Sequence, residues 1–248
     1  MQNQLKDKAL VLHSIRWKES SKILTLFIRS KGVDKVIARS AYKPNHPFGG
    51  RLEALNLLEV VISQKQSRSL QILQEAEVLD GFPVLRKDLT RQPYALAILE
   101  LIKQTLGEQH SDQIFFDFTV HIIKNLATAD HPEILFIYYL LKLSSFLGFK
   151  PALHNCWECG KTDLQGTSYF SVEKGAIFCS GCGEGLELLS ALHKDQLYFL
   201  QRLQTFPHKK IVDFPIPLPA GINYIALLTR FLGFHLEQPI HINALSLL

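Results

Sequence analysis

The four cysteines carry the clearest chemistry in this 248-residue chain. They form two Cys-x-x-Cys pairs, Cys156 with Cys159 and Cys179 with Cys182, and the 19 residues 160–178 separate the pairs. Each such turn places two thiolates at about the separation that a tetrahedral ion requires. The spacing therefore predicts one Zn²⁺ bound by four cysteines. A four-thiolate site leaves no open coordination position, so this metal is predicted to be structural.

Other uses of these thiols stay open. An iron–sulfur cluster could bind the same four thiolates. Disulfides or a redox pair fit less well, because the cytosol is reducing and a redox Cys-x-x-Cys is expected once, at a strand-to-helix junction. His154, two residues before the first cysteine, is interpreted as a bystander.

The residues between the cysteine pairs predict a small hairpin. Residues 167–172 and 176–178 read as two short strands, with Lys174-Gly175 at the turn. We therefore expect a zinc-ribbon-like insertion over residues 152–186.

Searches for catalytic motifs fail. Gly160-Lys161-Thr162 resembles the end of a phosphate-binding loop, but Asn155 stands where that motif needs its first glycine. The sequence has no His-Glu-x-x-His, Gly-x-Ser-x-Gly or Gly-x-Gly-x-x-Gly motif. Glu75, Glu77 and Asp80 are interpreted as surface charges on a polar segment that leaves the last strand of the N-terminal domain. We expect that the protein is not an enzyme.

Positive charge is concentrated near the N-terminus. Residues 1–82 hold 13 Lys and Arg against 8 Asp and Glu, whereas the rest of the chain has a net charge of −1. Between residues 31 and 51, cations alternate with the aromatic residues Tyr42 and Phe48, a pattern that suits single-stranded nucleic acid because phosphates attract charge and bases stack on rings. The predicted DNA-binding residues are Lys35, Arg39, Lys43 and Arg51. The alternative is a solvated basic face with Phe48 in the core.

The elements that must position this basic segment are strands. Five short apolar or alternating runs precede residue 82, without an intervening helical pattern: 8–13, 22–28, 33–38, 55–63 and 69–73. They predict a five-stranded Greek-key barrel of the OB type over residues 1–82, with an open SH3-like barrel as the alternative.

Helical periodicity begins near residue 85. Helices are predicted around 95–106, 115–126, 133–147, 190–205 with Ser190 as N-cap, and 222–236. Residues 83–248 are therefore expected to form an α-helical domain that carries the cysteine insertion. The predicted fold class is α+β with more than one domain.

The apolar segments predict no export and no membrane span. The first twelve residues lack a signal-peptide core, and the most apolar segment, Ile134–Phe149, contains Lys142 and is too short to cross a bilayer. We expect a cytosolic protein.

Several segments taken in order resemble one known family, the RecO recombination mediators. They are Lys8–Ser14, Glu19–Phe27, the basic strand and loop at Val36–Arg51, Leu57–Val60, Glu75–Leu79, Leu85–Leu89, and Leu147–Pro151 before the cysteines. One departure is that the family often has a denser Ala-Lys-Gly-x-Arg run after the third strand. In this chain only Arg39 and Lys43 match it as cations, so contact with DNA is expected to move partly to Lys35 or Arg51.

The resemblance implies an OB fold, a helical domain, a four-cysteine zinc module and a function. Members of the family bind single- and double-stranded DNA, anneal complementary strands, contact the acidic, apolar tail of the single-stranded DNA-binding protein, and work with RecR to load RecA. The protein is expected in the cytoplasm, associated with the nucleoid. Lys142 is the candidate cation for the tail. The alternative function is a zinc-containing scaffold or regulatory protein whose barrel binds protein; a metal-dependent nuclease fits the histidine and carboxylate spacing poorly.

Overall fold

A computed structural model describes residues 3–43, 47–65, 67–107, 112–183 and 189–247. Its contacts divide the chain into two units, Met1–Thr128 with Ile242–Leu248, and Ala129–His241. The first unit holds the strands of the basic segment, and the second holds the cysteines. The domain limits expected from the sequence, 1–82 and 83–248 with the insertion at 152–186, stay a prediction.

The first unit is built on a closed five-stranded barrel. Its strands are β1 (Asn3–Trp17), β2 (Ser21–Ile28), β3 (Gly32–Ala38), β4 (Leu57–Gln64) and β5 (Gln71–Asp80). They pair in the order β1-β2-β3-β5-β4, and only β3 with β5 is parallel. The first half of β1 pairs with β4 and its second half with β2, with an irregularity between Val11 and His13 that bends this long strand. This closed order confirms the predicted OB-type barrel over the SH3-like alternative.

Described residues of the connection from β3 to β4 contribute to the barrel core. Its side chains Ala41, Phe48 and Leu52 join the core made by inward-facing residues such as Leu24 and Val36. Phe48 is only 6% exposed. Of the two aromatic residues in the predicted basic segment, Phe48 therefore belongs to the core and only Tyr42 is available at the surface.

The fifth strand is longer than its apolar run. The sequence predicts a strand at 69–73 followed by a polar exit, but β5 continues to Asp80 because it pairs with β4 along its length. Glu75 and Glu77 are exposed on this strand. Their charge is solvated as expected, yet they lie on the barrel wall and not in a connection.

Three helices belong to the first unit: α1 (Pro83–Lys87), α2 (Gln92–Thr105) and α3 (Gln113–Leu126). Asp112 caps α3 by accepting hydrogen bonds from the amides of Ile114 and Phe115. The ring centroids of Phe27 and Phe116 lie 5.1 Å apart, and this contact joins β2 to α3. The chain returns at its C-terminus, where a short 3-10 turn over Asn243–Leu247 packs against α2.

The second unit contains a buried helix, the cysteine module and two further helices. Helix α4 (Pro132–Phe146) is buried nearly all round, as its sequence predicts. A three-stranded sheet contains β6 (Thr167–Ser171), β7 (Ala176–Phe178) and β8 (Leu189–His193) in the order β7-β6-β8, with the short helix α5 (Ser180–Gly183) after β7. Helices α6 (Lys194–Thr205) and α7 (Tyr224–His235) complete the unit.

Two features of this unit differ from the sequence prediction or sharpen it. Ser190 lies inside β8, opposite Phe170, and not at the N-cap, because this segment adds a third strand to the hairpin. Helix α6 instead begins after His193, whose backbone amide donates to the side chain of Gln196 at 2.8 Å.

Gly175 forms the predicted turn with φ of 60°. A Cβ there would also lie 2.8 Å from the Phe231 ring, so glycine is required twice over.

Candidate metal centre and nucleic-acid interface

The two Cys-x-x-Cys pairs meet at one point in the second unit. The Sγ atoms of Cys156, Cys159, Cys179 and Cys182 all lie within 4.8 Å of one another. The Sγ atoms of Cys159 and Cys179 are 3.8 Å apart. Zn–S bonds of about 2.3 Å at a tetrahedral ion place neighbouring sulfur atoms about 3.8 Å apart. The four thiols can therefore hold one metal ion as they stand.

Two tight turns present the sulfur atoms. In the first, the amide of Gly160 donates to the carbonyl of Cys156 at 2.9 Å, and Gly160 has φ of 73°. In the second, the amide of Cys182 donates to the carbonyl of Cys179 at 3.1 Å. The amide of Cys179 also donates to Cys156 Sγ at 3.3 Å, which links the two turns. This network fixes the sulfur positions through the backbone.

The backbone around the site also favours a thiolate. Burial alone would raise the pKa of Cys156, but the amides of Cys159, Cys179 and Glu158 oppose this and lower the pKa to about 6. For Cys182, contact with the sulfur atoms of Cys179 and Cys159 raises the pKa to about 12. Four thiolates this close repel one another unless a cation lies between them. His154 is exposed and is not among the four clustered side chains.

The outer face of β1, β2 and β3 carries aromatic, apolar and cationic side chains. Ile15, Ile23 and Ile37 lie side by side across the three strands. Trp17, two residues along β1, is 43% exposed. Arg39 directly follows β3 and is exposed. An exposed tryptophan can stack on a base, and a neighbouring cation can neutralise a phosphate.

Tyr42 lies near the turn between β1 and β2, with two cations against its ring. Arg16 Cζ lies 5.2 Å from the ring centroid, and Lys22 Nζ lies 5.0 Å from it. Lys22 Nζ is also 2.7 Å from Glu53 Oε1, and the Arg16 guanidinium donates to the carbonyl of Glu19 at 2.9 Å. The cation–π contacts and these polar partners hold the Tyr42 ring in place while leaving it 45% exposed.

The predicted DNA-binding residues divide between two faces. Lys35 and Arg39 are exposed and point outward with Ile37, as strand alternation predicts, and Lys43 is exposed in the turn after Tyr42. Arg51 lies elsewhere. It lines a groove on the β4–β5 side of the barrel that also contains acidic side chains, and its Nη1 donates to the carbonyl of Ala76 at 3.2 Å. The acidic residues of that groove are Glu59, Glu75 and Glu77.

Sequence reasoning missed Trp17 as a member of the outer face, and it missed Arg16 and Lys22 as the cations against Tyr42. The predicted first strand ended at residue 13, so Arg16 and Trp17 fell into a connection, whereas Lys22 lay at the start of the predicted strand 22–28. The signal that could have found them is the continued alternation of Ile15 and Trp17, which extends the strand period.

Lys142 is already engaged within the second unit. Its Nζ donates to the carbonyl of Gln204 at 2.8 Å and lies 5.0 Å from the ring centroid of Tyr138. Burial lowers its pKa, and nearby Lys150 does so further. The proposed contact between Lys142 and a partner stays a prediction.

The second unit also has a groove of about 740 Å³ along α7, bordered by the turn between β6 and β7. Phe234 is half exposed in it, and Arg230 lies at its side with Nη2 donating to Ser190 Oγ at 2.7 Å. Glu173 and Glu237 also line it. In the part of the chain that the structure describes, no helix is long and apolar enough to cross a membrane.

Comparisons with known proteins agree with this architecture. A family model described as "Recombination protein O N terminal" matches residues 1–82, and one described as "Recombination protein O C terminal" matches residues 86–243. The chain is 29% identical over 235 residues to the DNA repair protein RecO of Caldanaerobacter subterraneus subsp. tengcongensis, covering 94% of both chains. It is 29% identical over 237 residues to that of Anaeromyxobacter dehalogenans strain 2CP-C, covering 95% of this chain and 93% of the relative.

A third relative is the DNA repair protein RecO of Chlorobium phaeobacteroides, 32% identical over 153 residues, which cover 61% of this chain and 59% of the relative. The N-terminal match covers the five barrel strands, and the C-terminal match covers helices α2 to α7 and the cysteine cluster. The chain therefore belongs to the RecO family, whose role lies in DNA repair and recombination.

Proposed function

We propose that this protein is a non-enzymatic recombination mediator. In this role it binds single- and double-stranded DNA, anneals complementary strands and, with RecR, helps to load RecA onto DNA coated by the single-stranded DNA-binding protein. Membership of the RecO family supports the proposal at the level of repair and recombination. Such work places the protein in the cytoplasm, on the nucleoid.

The observation that carries the DNA-binding part is the outer face of β1 to β3, where the exposed Trp17 lies with the exposed cations Lys35 and Arg39. OB folds bind oligonucleotides across strands two and three, and here Lys35 and Arg39 extend from the third strand. Aromatic rings accept any base, and lysine or arginine contacts any phosphate, so binding is expected to depend little on sequence. Double-stranded DNA offers no free bases, and its binding is assigned to Lys35, Arg39 and Lys43 through phosphates.

The cysteine cluster is proposed to hold one structural Zn²⁺. Cys156, Cys159, Cys179 and Cys182 would supply all four ligands and leave no position for substrate. The ion would join the two Cys-x-x-Cys turns and so stabilise the three-stranded sheet, whose strand β7 ends directly before Cys179. In this structural role the ion takes part in no reaction.

The partner tail is proposed to bind the second unit. An acidic, apolar peptide needs an apolar groove with a cation, and the groove along α7 offers Phe234 and Arg230. Glu173 and Glu237 oppose an acidic ligand there, so the peptide's charge must lie on the Arg230 side. Lys142 is the second candidate.

Annealing of complementary oligonucleotides, bare and coated with single-stranded DNA-binding protein, tests the proposed function. We expect the protein to accelerate annealing of both, and a Trp17→Ala, Arg39→Ala double variant to lose most of this acceleration. Val84→Ala with Lys87→Ala is the matched control, because both side chains are exposed on α1. Absence of acceleration by the wild-type protein would overturn the proposal.

The alternative, a scaffold whose barrel binds protein, makes a different prediction for DNA. A protein-binding barrel would show no steep dependence of oligonucleotide affinity on salt, whereas a phosphate-binding surface must show it. The exposed cations Lys35 and Arg39 favour the mediator.

A further inference from the structure

A second binding feature lies in the first unit, beside the barrel face already described. The outer surface of β1, β2 and β3 and the C-terminal end of α2 form a groove of about 550 Å³. Ile15 and Ile23 form part of its floor, and Leu106 closes it on the helix side. This volume lies in the range of about 300 to 1,000 Å³ that is typical of pockets for small ligands.

The rim of this groove is cationic. Lys35 reaches it from β3 and Lys103 from the last turn of α2, and both side chains are exposed. Asp34 is the acidic residue of the lining, and it is paired with Lys31. His13 also lines the groove, and its pKa is lowered by burial and by the charge of Lys103. At neutral pH the groove therefore presents two cations around an apolar floor.

We propose that this groove is a nucleotide subsite for single-stranded nucleic acid. One unstacked base would rest against Ile15 and Ile23, and the flanking phosphates would contact Lys35 and Lys103. The inference rests on the proposed DNA-binding function, and it adds Lys103 and an apolar floor to the contact that Lys35 makes from the basic segment. Lys103 lies 52 residues beyond Arg51, in a helix.

Continuity with the rest of the face favours nucleic acid as the occupant over an acidic peptide. Ile15 and Trp17 lie on the same side of β1, and Ile37 and Arg39 continue the surface on β3. A strand that stacks a base on Trp17 can thus place a neighbouring nucleotide in the groove. Phosphates at regular intervals match cations at both the groove and the adjoining Arg39.

Two oligonucleotide probes separate the base contact from the phosphate contact. The first is a fluorescent oligothymidylate, and the second is an abasic oligonucleotide of the same length. For Ile15→Thr, which keeps a β-branched side chain but removes apolar surface, we expect roughly fivefold weaker binding of the thymidylate and unchanged binding of the abasic probe. Val78→Thr, an exposed position of β5 outside the groove, is the matched control.

Lys103→Ala tests the phosphate contact independently. We expect the slope of log affinity against log salt to flatten by about 0.7 for both probes. Lys87→Ala, an exposed lysine of α1, should leave that slope unchanged. Far-ultraviolet circular dichroism and thermal unfolding of each variant show that the folded protein is measured.

The outcomes distinguish the subsite from the function. Wild-type affinity for thymidylate with no change in Ile15→Thr and Lys103→Ala would overturn the subsite and leave the DNA-binding function in place. Failure of the wild-type protein to bind either probe would overturn both. If an acidic, apolar peptide displaces the thymidylate and Lys103→Ala abolishes only peptide binding, the groove is a peptide site and the subsite is wrong.

Discussion

Arg29 and Asp117 form a two-pronged ion pair between the end of β2 and α3. Nε and Nη2 of Arg29 donate to Oδ1 and Oδ2 of Asp117, each at 2.8 Å. The remaining Nη1 donates to Gln113 Oε1 at 2.8 Å. Together with the ring contact between Phe27 and Phe116, this pair fixes the orientation of α3 on the barrel.

Asp117→Asn should make the protein less stable at neutral pH. The Arg29 hydrogen bonds hold the pKa of Asp117 below its ordinary value of 3.8. A carboxyl group with a lower pKa in the folded state stabilises that state above its unfolded pKa, and this stabilisation is lost as the pH falls through the folded pKa. The midpoint of thermal unfolding should drop at neutral pH and change less in strong acid. Asp213→Asn, at an exposed position, is the control; an equal drop at every pH would contradict the prediction.

Arg39 and Lys43 should each contribute a phosphate contact to the salt dependence of DNA binding. Each phosphate contact contributes about −0.7 to the slope on single strands, so Arg39→Ala with Lys43→Ala should flatten it by about 1.4. Adding Arg51→Ala should change it little, because Arg51 shares its groove with Glu59, Glu75 and Glu77. A salt titration of oligonucleotide binding checks this. A larger effect of Arg51 than of Arg39 would place DNA on the other side of the barrel.

Cys156→Ser should reduce the metal content and destabilise the second unit. Elemental analysis of the unchelated wild-type protein should find about one zinc per chain, since four thiolates complete a tetrahedral site. Thermal unfolding of the variant should begin at a lower temperature, while DNA binding by the barrel should survive in part. Wild-type protein without metal would refute the prediction, and stoichiometric iron would support the cluster alternative.

Gly175→Ala should destabilise the cysteine module by about 1 to 3 kcal/mol. The alanine would have to adopt φ of 60°, which non-glycine residues rarely do, and its methyl group would lie 2.8 Å from a Phe231 ring atom. Gly181→Ala is the control, because nothing lies within 4 Å of a Cβ there. Chemical denaturation measures both free energies of unfolding. Equal stability of the two variants would show that the Phe231 ring moves aside without cost.

Arg230→Ala should weaken binding of the acidic tail peptide by roughly tenfold, the loss expected for a charge-assisted hydrogen bond. Lys142→Ala should have a smaller effect, since its ammonium already contacts the Gln204 carbonyl and the Tyr138 ring. Fluorescence polarisation of a labelled peptide compares the two. A loss confined to Lys142→Ala would move the tail to the face of α4.

The sequence predicted the features that depend on local pattern. The run of five short strands predicted the OB-type barrel, strand alternation predicted the outward direction of Lys35, and the cysteine spacing predicted that the four cysteines cluster. Strand ends were harder, because β5 continues through Glu75 and Glu77 only by pairing with β4. The same reason hides Ser190, which pairs with β6 although its type suits an N-cap.

The membership of the binding face could be predicted only in part. Lys103 approaches the barrel through packing of α2 against β1, and no sequence pattern reports a contact between such distant segments. Arg51 is close to Lys43 in sequence, but it lines a different surface, the groove on the β4–β5 side of the barrel. Proximity along the chain therefore overestimates how many cations share one surface.

The barrel closes through a narrow seam. Only two residue pairs, Val36 with Gln71 and Ile37 with Ile72, register β3 against β5, whereas every other neighbouring pair of strands is joined over at least seven residues. A junction held by so few backbone hydrogen bonds is expected to open first in the native state. Amide protons between β3 and β5 should therefore exchange with solvent faster than those between β1 and β2. The barrel can open locally between β3 and β5 while its other four strand junctions stay closed.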